Sequence, residues 1–145
     1  MKELWKAIYD RLSSDEALAA LLGGEARIGQ PQQAGARALP CVTYDLWSAR
    51  YEPVDQAKGN RDPQHVAVRF SVFAADDSSA TYAGSTLCSE IAERLKALLH
   101  GADLGDESLR CYAALWDDFE TAAAYDEATA QWRCDLRFRF VVKAA

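Results

Sequence analysis

Apolar residues recur every three or four positions in three stretches of the chain and every second position in four others. The clearest helical period runs from Asp77 to Leu99. Leu87, Ile91, Leu95 and Leu98 share one face, widened by Gly84 and Cys88, while Ser85, Ser89, Glu93 and Lys96 fall mostly on the other. Asp77, Ser78 and Ser79 are each able to accept a hydrogen bond from the first free amides, and Gly101, just past His100, suits a left-handed exit. A helix of about 20 residues spans roughly 30 Å. A first helix is expected over residues 3 to 12, with Leu4, Ile8 and Leu12 on one side and Trp5 and Tyr9 beside them. A second starts at Ser14, carries Asp15 and Glu16 in its first turn, and stops at Gly23-Gly24.

The period-two stretches predict strands. In residues 41 to 48, Val42, Tyr44 and Leu46 alternate with Cys41, Thr43, Asp45 and Trp47. Both sets are partly apolar, so this strand is expected to be covered on both sides. Val66, Val68, Phe70 and Val72 alternate with His65, Ala67, Arg69 and Ser71 in residues 65 to 74. Residues 109 to 116 form a third strand. In residues 131 to 143, Trp132, Cys134, Leu136, Phe138, Phe140 and Val142 oppose Gln131, Arg133, Asp135, Arg137 and Arg139. Arg27-Ile28 reads as a brief additional strand in a loop over residues 25 to 40, where Pro31, Gly35 and Pro40 break any regular pattern. The acidic, Ala-rich residues 117 to 130 read as a loop or a short helical excursion. Residues 49 to 64 form a polar insertion too long for a tight turn, and such loops carry function or move. The order is α-α-(β)-β-β-α-β-β. It predicts an α+β fold of one domain, residues 1 to 145, with one long helix packed across one face of a mainly antiparallel sheet behind a short helical N-terminal segment.

Composition narrows the function. A chain of 145 residues suffices for a single domain and buries about 68% of its unfolded surface, so it needs neither disulfide nor metal. A net charge of −6 argues against non-specific nucleic-acid binding through the overall field. The amphipathic start MKELWKAIYDRL lacks the apolar core of a signal peptide, and no run approaches a membrane span, so a cytosol-like compartment is expected. Cys41, Cys88, Cys111 and Cys134 are widely separated and the two histidines are isolated, which points to reduced core thiols rather than zinc ligands.

Candidate chemistry is sparse. Asp76-Asp77, Asp117-Asp118 and Asp126-Glu127 are acidic pairs of the kind a carboxylate hydrolase or a metal site uses. They sit where loops meet helices or strands, so capping and solubility account for them. No G-x-S-x-G, P-loop or G-x-G-x-x-G occurs. The sharpest feature is Arg133, Arg137 and Arg139 alternating with large apolar residues, joined by Arg69 if the two strands are neighbours. Three readings stand open: a solvated face with the arginines paired to acids such as Asp45 and Asp135; a subunit interface, which suits the planar guanidinium fork; and direct nucleic-acid contact. Trp47 and Trp116 end strand-like runs, a place where an aromatic serves either core or interface.

The N-terminal order resembles the small tail-completion or tail-terminator proteins of long-tailed bacteriophages and prophages. Leu12, Asp15, Leu18, Leu21, Leu22 and Gly23 match that family's L-x-x-D-x-x-L-x-x-L-(hydrophobic)-G stretch. Arg27-Ile28 matches its short strand, and Pro40-Cys41-Val42-Thr43-Tyr44 the strand after it. A polar loop, a Val- and Phe-rich strand, a long helix and a terminal hairpin extend the resemblance over nearly the whole chain. The resemblance implies a non-enzymatic virion protein at the tail-head junction, assembled in the bacterial host cytoplasm and needing no cofactor. It implies a homo-oligomeric, hexameric ring that caps the tail tube, stops its polymerisation and joins it to the head connector. The implied partners are further copies of the chain, the major tail tube protein and a head connector or neck protein. Genomic DNA passes through without specific binding, and no membrane is involved. Another head-tail connector or neck ring subunit is the neighbouring alternative, and a small ligand-binding or enzymatic domain the more distant one. Within the ring reading, Tyr51, Val54 and Arg61 are candidate loop contacts. Two patches are expected to meet head to tail: the arginine face (Arg69, Arg133, Arg137, Arg139) and the acidic stretch Asp117 to Glu127, with Asp118 and Glu120.

Overall fold

The alternation of residues 64–74 and 131–144 puts one apolar row on each strand, and the two rows lie side by side on one face of a single sheet. The computed structural model describes residues 2–31, 38–51, 63–76 and 83–145. Its elements run α1 (Lys2–Ser13), α2 (Glu16–Leu21), β1 (Ile28–Gly29), β2 (Cys41–Tyr51), β3 (Gln64–Ala74), α3 (Gly84–Leu99), β4 (Leu109–Glu120), β5 (Ala124–Asp126) and β6 (Gln131–Ala144). The sheet order is β1-β2-β3-β6-β4, with β5 also pairing β6. All pairs are antiparallel except β1 with β2. This is the expected mixed α and β architecture with a mainly antiparallel sheet.

The three described helices share the apolar face. Phe70, Phe138 and Phe140 are fully buried there, and Phe70 meets Phe138 edge-on at 5.2 Å between centroids. Burying each ring contributes about 2–3 kcal/mol. α3 lays Cys88, Ile91, Ala92, Leu95, Leu98 and Leu99 on this face, while Leu87 sits at the margin, only half-buried. Asp15 caps α2 by accepting from Leu18 N at 2.8 Å, and it holds Arg94 of α3 through two bonds of 2.6 and 2.9 Å. The hydrogen bond from Arg94, then the one from the Leu18 amide, keeps the Asp15 carboxyl below its usual range. Arg11 of α1 donates to the Leu98 carbonyl at the end of α3, where the helix dipole favours a cation. The helical layer is thus tied together by α1 and α2 as well as spanned by α3.

Several boundaries differ from expectation. α3 begins at Gly84 and has 16 residues; the expected start at Asp77, Ser78 and Ser79 lies outside the described residues. The carboxylate that receives the Gly84 amide is Asp76, at 2.8 Å, and the same oxygen accepts from the Trp132 indole at 2.9 Å. Gly84 is there because α3 meets Trp132 closely: a Cβ at this position would lie 2.7 Å from the indole Cδ1. β2 runs on through Ala49, Arg50 and Tyr51, and β3 takes in Gln64, so both ends of the supposed polar insertion are strand. Residues 117–120 are strand rather than loop, and 124–126 pair with β6 before a turn. Two inserted acids, Asp117 and Asp118, break the alternation and made the strand look finished. The brief strand near residue 28 is Ile28–Gly29, one residue later than expected.

The expected two-sided cover of β2 holds for its first half. Cys41 and Thr43, on the face away from the helices, are as buried as Val42 and Tyr44. Beyond Asp45 the strand opens, and Leu46 and Trp47 are 48% and 45% exposed. Cys41, Cys88, Cys111 and Cys134 are all free thiols. Cys134 bonds the Cys88 carbonyl at 3.8 Å, and its hydrogen bond to Cys88, with burial, pushes its thiol up, so it stays protonated at neutral pH. No described helix is long and apolar enough to cross a membrane.

Candidate interface on the open sheet face

The alternation that sends Phe70 and Phe138 into the core sends Arg69 and Arg137 to the opposite face. The β3–β6 register sets these two arginines directly opposite one another, and Ala67 opposite Arg139. Like charges facing across a ladder are destabilising. The chain resolves this with an acid on each flank. Arg69 forks onto Asp45 of β2 through bonds of 3.1 and 2.7 Å. Arg137 donates to Asp117 of β4 at 2.8 Å. A row of acid, arginine, arginine, acid therefore crosses β2, β3, β6 and β4. The bond to Asp45 also raises the Arg69 guanidinium above its already high range.

Bulges aim the aromatic groups at this row. The β2–β3 register slips between Leu46 and Ser48, so Trp47 is the extra residue. The β4–β6 register slips between Trp116 and Phe119, where Asp118 takes φ of 52°. The two bulges bring Trp47 and Phe119 together edge-on at 5.4 Å, with the Arg137 guanidinium 5.2 Å from each ring. A second knot lies nearer the start of β6. Arg133 donates to Asp135 at 3.1 Å, Ser71 donates to the same oxygen at 2.7 Å, and the Arg133 guanidinium sits 5.2 Å from the Phe73 ring.

Of the four candidate arginines, three are thus neutralised within the chain. Arg139 is exposed and has no acidic partner among the described residues. It lies opposite Ala67 on one side and the part-exposed Leu115 on the other. With Trp47, His65, Asp117 and Arg137 it lines a shallow depression of about 320 Å³.

The candidate acids do not form one patch. Asp117 belongs to the arginine row, and Asp118 is the exposed bulge residue beside it. Glu120 turns to the helical side and pairs with Lys96 of α3 at 2.5 Å, where the ammonium also lies 4.3 Å from the Trp116 ring centroid. Asp126 and Glu127 sit far off, at the turn between β5 and β6. Tyr51 ends β2, and nothing is described of its side chain. Val54 and Arg61 lie outside the described residues. Phe119 is hidden in the sequence by the Asp117-Asp118 pair, which masks the continuation of the strand that holds Leu115. Among the described residues no group of three or more His, Cys, Asp or Glu side chains converges as metal ligands would. His100 accepts a hydrogen bond from the Trp116 amide at 3.0 Å and serves to dock the end of α3 onto β4.

No curated protein matches the chain in sequence. Among solved structures, a chain described as "Virion of native gene transfer agent (GTA) particle" is similar in fold. Its TM-score is 0.68 at 24% identity, over 98% of this chain and 95% of that one. The family model for "Tail completion protein gp17" matches residues 6–143, which takes in α2 with its Asp15 cap and the sheet but for the last residue of β6. The chain belongs to the tail completion protein gp17 family.

Proposed function

We propose that this chain assembles into a ring, of six copies as the family resemblance implies, on the end of the finished tail tube. There it stops tube polymerisation and presents a surface to the head connector. The observation that carries the reading is the family match over residues 6–143, and the likeness to a chain of a gene transfer agent virion supports a place in a particle. The open sheet face suits an assembly role. Three of its four candidate arginines are paired within the chain, so most of it is a preformed surface rather than a set of convergent groups poised for chemistry. The role is accordingly structural and not catalytic. The acidic balance of −6 lets DNA pass the ring without being retained. Within the insertion over residues 49 to 64, Tyr51, Val54 and Arg61 are the candidate loop contacts.

Electron microscopy of purified tail tubes mixed with the protein tests this. The expected result is ring-shaped density at one end of each tube. Tubes with bare ends at saturating protein would overturn the capping role. Rings that bind only isolated head connectors would move the chain to the neck.

A further inference from the structure

The ring reading requires each copy to present two different patches, and the sheet identifies a complementary pair. Of the four candidate arginines, Arg139 is the one that no described acid neutralises. Beside it stand the two apolar groups most suited to anchor a partner, Trp47 at 45% and Leu115 at 37% exposure. Buried arginine and tryptophan anchors dominate protein interfaces, and a desolvated cation there needs an incoming carboxylate. The opposite patch lies at the β5–β6 turn. Glu127 is exposed and has no partner among the described residues. The Asp126 carboxylate beside it accepts only the turn amide of Ala128, at 3.0 Å. Tyr125, 46% exposed and tilted against Trp132, adds an apolar group next to these acids.

The two patches do not reach each other within one chain. Asp126 pairs with Gln131, and Arg139 lies eight residues further along β6, about 26 Å away at the rise of an extended strand. Complementary groups that far apart on one rigid sheet are what a heterologous interface uses. Resting on the ring reading, we propose that the β5–β6 turn of one copy docks into the depression at Arg139 of the next. Glu127 then faces Arg139, and Tyr125 lies near Trp47 and Leu115. Asp118 sits in the β4 bulge beside the arginine row, and Glu120 is committed to Lys96, so neither supplies the second patch. The alternative occupant, a tube subunit, is separated by the test.

The test is a charge swap read by native mass spectrometry, with tube capping followed in parallel by microscopy. Arg139→Glu and Glu127→Arg are both surface changes, and circular dichroism checks that each monomer folds. Each single variant is expected to weaken ring formation at least about tenfold, because it places like charges face to face. The double variant is expected to restore rings to near the wild-type level. Loss in both singles without recovery in the double overturns the pairing. Intact rings in Arg139→Glu also overturn it while leaving the ring reading in place. If that variant forms rings but no longer caps tubes, the occupant is the tube protein and the proposal is wrong. A wild-type protein that forms no ring even on tubes refutes the ring reading itself.

Discussion

Replacing Arg137 by Met separates what this arginine does inside the chain from what it does at an interface. Methionine keeps most of the aliphatic cover between Trp47 and Phe119 but removes the charge. The side chains of Arg137 and Asp117 are 30% and 27% exposed, so their ion pair is partly screened and is worth about 0.5–1 kcal/mol. Two guanidinium–ring contacts at 5.2 Å add about 0.5 kcal/mol each. Asp117 retains some water when abandoned, so its desolvation adds little. The expected loss is about 1.5–2 kcal/mol, or a fall in Tm of about 5 °C for a chain of this size. Urea titration of the monomer measures it directly. A double-mutant cycle with Asp117→Asn isolates the pair, with an expected coupling of about 0.5–1 kcal/mol. A Tm within about 1 °C of wild type, or a coupling near zero, would refute the intramolecular role. If the role holds, Arg137→Glu harms the monomer as well as any ring, since it sets two carboxylates against each other in the β4 bulge. Reversal of Arg139 alone is then the clean probe of assembly.

The helical layer and the core give three further expectations. Asp15→Asn keeps a capping oxygen for Leu18 but loses the charge that faces Arg94. The Asp15 pKa is lowered by folding, so its stabilisation is full above the unfolded value near 4 and is lost as pH falls through the lower folded value. The Tm gap between wild type and Asp15→Asn should therefore be present at pH 7 and vanish under strong acid; an equal gap at both refutes the charge argument. Gly84→Ala should lower stability by about 1–3 kcal/mol despite better helix propensity, because the new methyl meets Trp132 and the Ala75 backbone; thermal melting that shows a gain contradicts this. Phe138→Ala, at a fully buried ring, should lose about 3–5 kcal/mol by calorimetry.

The layers and the faces were legible in the sequence because period two and period 3.6 are imposed by burial. Every second residue from Val66 to Val72 and from Cys134 to Val142 is buried as the alternation demands. The same alternation put Arg69 on the face of Arg137. What stayed hidden depends on register. Nothing local announces that Trp47 is an inserted residue, or that Asp117 and Asp118 form a bulge within a strand that resumes at Phe119. Those slips decide which arginine meets which acid, and so why Arg139 alone of the four is left over. The acidic run from Asp117 to Glu127 looked like one patch because its residues are close in sequence. Strand alternation and the step from β4 to β5 distribute it over two faces and one turn. The start of α3 was misplaced for a related reason. Its capping carboxylate, Asp76, precedes the helix by eight residues and is recruited through the tertiary contact with Trp132.

Tube growth provides a direct test of the proposed termination of the tail tube. Finished tubes are supplied with fresh tube subunits, with and without prior incubation with the protein, and their lengths are measured by electron microscopy. If the chain ends tube growth, incubated tubes keep their original length at one end while untreated tubes elongate there. Equal elongation in both samples, at protein concentrations that saturate tube ends, would contradict it.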